Sequence, residues 1–347
     1  MEACGGVKEQ YISNKENKEM KGLQVYLPGF YAVCLFVSPV YAMDSDVLSS
    51  ENRQANFTAQ ESAIAVSAHI GAGYLSGESN ELVYDPFSGQ KISELQWDLD
   101  EVYMFNAGAA IAPLSWLTIS ADFWINLNKG NGAMDDYDYL AAGYSGYSHW
   151  SHHEDTDLSS GYMFDINAAF TFYRAGETSF SGLVGYKHDN WEWESYGGSY
   201  VYSTMYLHDT AGSFPDGEKV ITYNQWYDVP YIGVAFESTA GRMFFKGRII
   251  ASPLVSAGDE DTHHLRSLRF EGDFDYSSMF GIDVGLGYNF SENLALTAAF
   301  KYQKYEEADG DTVITDQVTG AQQHVTGDAA GVDHSSALVS VGLQYNF

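Results

Sequence analysis

The sequence predicts an all-β protein, a ten-stranded antiparallel transmembrane β-barrel with long extracellular loops. Three observations predict it: apolar and polar residues alternate in many segments, short and long connections alternate between those segments, and the chain ends in an aromatic residue. The composition, with 26 Tyr, 20 Phe, 34 Gly and only 7 Pro, suits strands and aromatic membrane interfaces better than helices.

The last strand shows the alternation clearly. Its apolar face comprises Ala337, Val339, Val341, Leu343, Tyr345 and Phe347, and small and polar residues form the other face. A soluble β-sandwich could produce this pattern by turning the apolar face to a core. A membrane barrel turns the same face to lipid. Three features favour the barrel: a predicted secretory leader at residues 1–42, aromatic residues at the ends of strands, and the terminal Phe347.

The predicted connections fall into two classes. Four short ones lie near residues 112–116, 174–178, 237–242 and 291–293, and five long ones near residues 76–91, 131–160, 196–219, 257–268 and 306–332. Together they join ten strands. An even number of strands returns both termini to the periplasmic side, so the short turns are expected to be periplasmic and the long loops extracellular.

Residues 1–42 are predicted to be a signal peptide, and residues 43–347 a single barrel. Met20 and Lys21 precede an apolar segment that ends at Ala42, which is the arrangement of a secretory leader. Met20 could itself be the true start. Cys4 and Cys34 both lie in this leader, so the mature chain is expected to lack thiol and disulfide chemistry.

The charge is strongly acidic, with 17 Lys and Arg against 47 Asp and Glu. This balance argues against a nucleic-acid partner, because such partners need basic clusters. It favours cationic ligands or substrates, which a negative field attracts. No phosphate loop, dinucleotide fingerprint or serine elbow stands in a fitting context, so no cofactor and no serine nucleophile are predicted.

The first candidate site is the pair Asp136 and Asp138. On an extended strand these side chains point to the same face, about 7 Å apart. Two carboxylates that close resist joint ionisation, so one pKa should rise, and a pair that shares a proton can polarise a water molecule. Spacing alone favours a solvated acidic loop or a weak calcium site over a catalytic pair.

The second candidate site is the pair Asp261 and His263, which also share a face. A carboxylate next to an imidazole fixes its tautomer and makes it a better general base. Spacing alone leaves a solvated loop open here too. A third cluster of histidines and acids, at residues 149–155, lacks the spacing of a metal site, and no metal is predicted.

At these residues the sequence resembles the omptins, which are outer-membrane aspartyl endopeptidases. The resemblance runs over nearly the whole mature chain. It rests on residues 75–77 (LSG), 81–84 (ELVY), 132–138 (GAMDDYD), 153–156 (HEDT), 197–202 (GGSYVY), 212–218 (GSFPDGE), 230–233 (PYIG) and 259–263 (DEDTH).

The resemblance implies catalytic roles for both pairs. Asp136 and Asp138 match the family's aspartate couple, and Asp261 and His263 match its Asp-His dyad. A water between the two pairs would be the nucleophile, deprotonated by His263, and no acyl-enzyme would form.

The resemblance also implies a substrate pocket. Glu81 and Asp259 match its acidic floor, which would select Arg or Lys before the cut. Met134 and Ile221 match other pocket positions. The acidic position that helps to choose the residue after the cut falls near His149 in this chain.

Lipopolysaccharide binding is the main departure from the family pattern. Tyr186 matches the aromatic member of the family's phosphate-binding cluster. The other positions correspond to His188, Asn190, Trp226 and Asp275, without an Arg or Lys. The resemblance therefore leaves open whether lipopolysaccharide is needed as a cofactor.

The sequence thus predicts a hydrolase of the bacterial outer membrane that faces the extracellular side, contacts outer-membrane lipid and cleaves Arg- or Lys-rich peptides and proteins. An omptin-fold adhesin that binds cationic peptides or host proteins with little turnover is the alternative. A porin is a weaker alternative, because ten strands leave a narrow lumen that side chains fill.

Overall fold

The computed structural model describes residues 64–347, and the predicted signal peptide lies outside this range. The strands are β1 (Ala65–Tyr84), β2 (Lys91–Leu114), β3 (Leu117–Asn126), β4 (Gly132–Asp138), β5 (His149–Ala175), β6 (Thr178–Tyr196), β7 (Ser199–Tyr202), β8 (Thr210–Ser213), β9 (Lys219–Ala240), β10 (Met243–His263), β11 (Leu268–Asn289), β12 (Leu294–Asp316) and β13 (Gln322–Asn346). Between residues 64 and 347, no helix is long and apolar enough to cross a membrane.

The strands form a closed antiparallel ring. β1 pairs with β13 from Ser67↔Asn346 to Val83↔Ala330, and this pairing joins the first strand to the last. β3 and β4 both lie between β2 and β5, so they share one position in the ring. The prediction of ten strands is therefore confirmed. β7 and β8 form a small hairpin, in which β7 pairs with β5 beyond the end of β6.

The outer surface of the barrel is an apolar band. On β13, Val339 and Val341 are 58% and 60% exposed, whereas Leu338 between β1 and β12 is 2% exposed and faces the lumen. Ile232 on β9 is likewise 66% exposed. A soluble sheet would bury such a face, so the alternation predicted from sequence is confirmed in the orientation that suits lipid.

The two ends of the barrel differ. At one end the turns are short, as predicted. At the other end the strands continue far beyond the apolar band. Most residues expected in long loops are paired strand residues there, and the turns shrink to residues 85–90, 264–267 and 317–321. Continued pairing satisfies backbone donors and acceptors that a long loop would leave to water. The candidate residues consequently lie on strands.

One strand carries a local irregularity that proline explains. β10 changes register between Ser252 and Val255 against β11, and between Ala251 and Ser256 against β9. Pro253 lies within both intervals and has no backbone N–H to donate to either neighbour. Regular pairing resumes before Asp259, so the site end of β10 is held on both sides.

Ion pairs fill the middle of the lumen. Arg248 contacts Asp283 and lies 2.7 Å from Asp165, and Lys187 lies 2.5 Å from the buried Asp189. A cavity of about 430 Å³ lies toward the end with short turns, between these charges and that opening. The filled lumen agrees with the expectation that argued against a porin.

A cluster of large aromatic side chains packs between these ion pairs and the far end. Trp97 stacks on Tyr223 with ring centroids 5.0 Å apart, and Trp193 lies 6.0 Å from the same ring. All three side chains are fully buried. Their close packing holds the inward faces of the extended strands in place, and the candidate site lies next to this cluster.

Candidate functional site

The predicted site residues meet at the end where the strands are extended. Asp136 and Asp138 lie on β4, and Asp261 and His263 lie at the end of β10. Around the ring, β5, β6 and β9 separate these two strands, so the two pairs face each other across the mouth of the lumen. Glu81 comes from β1 and lies close enough for its pKa to respond to Asp136 and Asp261.

The aspartate couple behaves as its spacing predicts. Both side chains are on the inward face of β4, and Ser93 Oγ on β2 donates to Asp136 Oδ1 at 3.2 Å. Burial raises the pKa of Asp136 to about 7, and the charge of Asp138 adds to the rise. Burial also raises the pKa of Asp138, against the hydrogen bond from Ser93. Near neutral pH Asp136 therefore still holds a proton for part of the time, beside the carboxyl of Asp138.

The dyad is a buried carboxylate in contact with an imidazole. His263 Nε2 lies 2.5 Å from Asp261 Oδ2, an ion-pair distance without the alignment of a hydrogen bond. The Asp261 side chain is 1% exposed. The Nε2 edge of the ring thus faces Asp261, which leaves Nδ1 as the nitrogen available for proton transfer. Phe270 holds the ring edge-on with centroids 5.3 Å apart.

Glu81 and Asp259 form the floor between the two pairs. Both are buried, at 7% and 6% exposure. Asp259 accepts from Gly272 N at 3.0 Å and from the Tyr223 hydroxyl at 3.3 Å. Glu81 Oε2 has no hydrogen-bond partner among the described residues.

Both floor carboxyls resist ionisation. Burial, together with the charge of Asp261, raises the pKa of Asp259 to about 7. Burial also raises the pKa of Glu81 well above its ordinary value, and Asp261 and Asp259 add to the effect. The surroundings of the floor therefore do not stabilise its ionised form, and a cation placed there would favour ionisation of both carboxyls.

The apolar pocket positions, Met134 and Ile221, are buried within the aromatic cluster at 0% and 3% exposure. Met134 pairs with Trp97 across β2 and β4, and Ile221 pairs with His263 across β9 and β10. They therefore wall the floor from two sides.

Comparison with known proteins shows the family of this chain. The omptin family model matches residues 62–347. The chain belongs to the omptin family. It is 34% identical to the plasminogen activator of Yersinia pestis over 280 residues, which are 79% of this chain and 87% of that protein.

Further relatives agree with this placement. The outer membrane protease OmpP of Escherichia coli (strain K12) is 27% identical, with 81% of this chain and 90% of that protein covered. The crystal structure of outer membrane protease OmpT from Escherichia coli shares the fold, with a TM-score of 0.78 at 24% identity over 82% of this chain and 97% of that one. The omptin family is therefore one of outer-membrane proteases with a β-barrel fold.

Tyr186, which the sequence resemblance matches to a lipopolysaccharide-binding position, lies on the outer wall. The Tyr186 hydroxyl contacts Asp228, and His188 Nδ1 lies 2.8 Å from the same carboxylate. Asn190 and Trp226 pair next to them across β6 and β9, while Asp275 is on β11, beyond β10. A carboxylate thus occupies the centre of the patch in which a phosphate would sit.

The histidine cluster at residues 149–155 does not converge on one point. His152 Nδ1 lies 2.9 Å from Asp135 on the outward face of β4, whereas His153 is buried and its Nδ1 bonds to the Gly197 carbonyl at 2.6 Å. Among the described residues, no three His, Cys, Asp or Glu side chains are grouped as a metal site would require. His149 pairs with Asp138, beside the couple.

Four neighbours of the candidate residues were not anticipated from the sequence: Ser93, Tyr202, Tyr223 and Arg266. Ser93 and Tyr223 could have been found from alternation, because each is a polar residue among inward-facing apolar ones on its strand. Tyr202 belongs to the β7–β8 hairpin, and burial beside Asp136 and Asp138 raises its pKa to about 12.

Proposed function

We propose that this omptin is an endopeptidase that cleaves peptide bonds next to Arg or Lys by direct attack of a water molecule. One observation carries the proposal: the Asp136–Asp138 couple and the Asp261–His263 dyad face each other above an acidic floor. In this arrangement a scissile carbonyl between the two pairs would meet a base on one side and a shared proton on the other.

The proposed reaction uses each group once. His263 Nδ1 takes a proton from the water as its oxygen bonds to the carbonyl carbon, and Asp261 stabilises the resulting imidazolium. The proton held by the aspartate couple stabilises the carbonyl oxygen as it gains charge. The C–N bond then breaks, and His263 returns a proton to the leaving amine.

The floor supports the preference for basic residues. Glu81 Oε2 has no donor among the described residues, and burial beside Asp261 opposes ionisation of Asp259. A guanidinium or ammonium group would supply both charge and hydrogen bonds to the two carboxyls. The walls formed by Met134 and Ile221 are apolar and would contact the aliphatic part of an Arg or Lys side chain.

The site is proposed to face the outside of the cell. The strands extend beyond the apolar band only at the site end, and outer-membrane barrels place their longer connections outside and their short turns in the periplasm. The apolar band would contact the outer-membrane lipid. We further propose that activity does not depend on lipopolysaccharide phosphates, because Asp228 occupies the patch beside Tyr186.

The test is hydrolysis of a quenched peptide with an Arg-Arg core by the refolded protein in detergent micelles. His263→Ala should lower kcat by about 10²–10⁴-fold, the usual contribution of a general base. His264→Ala is the matched control, since His264 is the next residue but bonds outward to Thr222 at 2.8 Å. Equal activity of the two variants would refute the assignment. Salt-sensitive binding of the peptide without any cleavage would instead favour an adhesin.

A further inference from the structure

Arg266 contacts the nitrogen that the proposed reaction needs. Its Nη2 lies against His263 Nδ1 and 3.2 Å from Nε2. A guanidinium only donates hydrogen bonds, so Nδ1 can take part in this contact only as an acceptor. As long as the contact persists, Nδ1 cannot accept a proton from water.

The turn between β10 and β11 places Arg266 there. It has four residues, and its backbone closes on itself: Arg266 N donates to the His263 carbonyl at 3.2 Å, and Ser267 N to the His264 carbonyl at 3.3 Å. Ser267 adopts φ 51°, the left-handed conformation that ends the turn. This turn brings Arg266 back over His263, three residues earlier, while the Arg266 side chain remains exposed to solvent.

The positive charge of Arg266 reaches the acidic groups of the site as well. Burial raises the pKa values of Glu81 on the floor and of Asp136 and Asp138 on the opposite wall, and the charge of Arg266 offsets part of each rise. A single guanidinium at the mouth therefore partly neutralises carboxyls that come from two sides of the barrel. A basic side chain of a substrate would supply the same charge to the same groups.

We infer that Arg266 is an internal, displaceable occupant of the cleft, which a basic substrate side chain must expel before His263 can act. The inference rests on the proposed function. Because Arg266 is exposed, it can swing into water without losing packing, and the exchange is one cation for another. Arg266 would then set how tightly a basic ligand must bind to open the site.

The decisive measurement is binding without turnover. Agmatine carries a guanidinium and no peptide bond, and its affinity can be measured by calorimetry on the refolded protein. Arg266→Ala and Arg266→Gln should each bind agmatine about tenfold more tightly than the unmodified protein, the scale of one charge-assisted hydrogen bond. Arg269→Ala is the control, because Arg269 bonds to Glu260 and Glu271 at 2.7 and 2.9 Å, away from His263.

Kinetics give a second, independent readout. With the Arg-Arg peptide, Arg266→Ala should lower KM by about tenfold and leave kcat unchanged, since only competition is removed. Lower kcat with unchanged agmatine affinity would overturn the inference and make Arg266 a stabiliser of the developing negative charge. Unchanged KM, kcat and affinity would also overturn it. Tighter agmatine binding in a protein that never cleaves peptide would sustain the inference and refute the proposed hydrolysis.

Discussion

Neutralising Asp136 should stabilise the barrel at alkaline pH and have little effect in acid. Asp136→Asn keeps the shape of the side chain and can still accept from Ser93. It removes a charge that burial and the neighbouring Asp138 both oppose. The folded protein bears the cost of ionising this carboxyl, and the unfolded chain does not.

The size of the effect follows from the raised pKa. In the fold, the pKa of Asp136 is raised from 3.8 to about 7. A pKa difference of one unit corresponds to about 1.36 kcal/mol, so complete ionisation of Asp136 costs about 4 kcal/mol more in the folded protein than in the unfolded chain. This loss of folding stability is absent below pH 3.8, grows between pH 3.8 and about pH 7, and is complete above about pH 7. Because Asp136 keeps some contact with solvent, we expect a measured difference of about 1–3 kcal/mol.

The assay is urea unfolding of the refolded barrel in detergent micelles, followed by tryptophan fluorescence at pH 4 and pH 8. The variant should unfold at higher urea than the unmodified protein at pH 8 and at nearly the same urea at pH 4. Asp155→Asn, an exposed aspartate on β5, controls for the loss of one negative charge. A gain of equal size at both pH values, or a loss at pH 8, would refute the reasoning.

Three further predictions concern activity. Glu81→Gln should lower kcat/KM for an Arg-Arg peptide by about 10²–10³-fold, which is the cost of truncating one partner of a buried charge pair. Glu154→Gln, a substitution of an exposed glutamate, should leave kcat/KM unchanged. Equal losses in the two variants would show that Glu81 is not part of the pocket. The kcat of the unmodified protein should fall above about pH 7, because Asp136 then loses its proton. Ser93→Ala should move this fall to higher pH, since the hydrogen bond from Ser93 lowers the pKa of Asp136. An unchanged pH profile of kcat would show that protonation of the aspartate couple does not control the rate. The rate should be the same with intact and dephosphorylated lipopolysaccharide, and a marked dependence on the phosphates would contradict the proposal drawn from Asp228.

Alternation of apolar and polar residues predicts much of the fold. Val339, Val341 and their neighbours on β13 face outward as expected, because strand periodicity of two leaves each residue only two possible faces. The lengths of the strands could not be obtained in the same way. The polar residues in 81–84 and 259–263 are compatible with a loop and with a solvent-exposed strand. Only pairing with a neighbouring strand, such as Glu81↔Leu95, distinguishes the two structures.

The site was less accessible to the same reasoning. Spacing placed Asp136 beside Asp138, and Asp261 beside His263, but it carried no information on the distance between the pairs. That distance depends on the shear and closure of the barrel, which no local pattern encodes. The family resemblance supplied the expectation that the pairs cooperate. The contact between Arg266 and His263 depends on a turn of four residues, whereas a loop of twelve was expected at 257–268.

The acidic floor connects stability to binding. Glu81, Asp136 and Asp259 all have raised pKa values, so each opposes folding when it is ionised. A barrel with every ring strand paired on both sides can hold such charges in place, because no free edge allows them to separate. Under the proposed function, a cationic side chain would offset the repulsion among these carboxyls when it binds. Substitutions that neutralise the floor should therefore both stabilise the protein and lower its affinity for basic ligands. A variant that gained both stability and affinity for a basic ligand would show that stability and binding have separate origins.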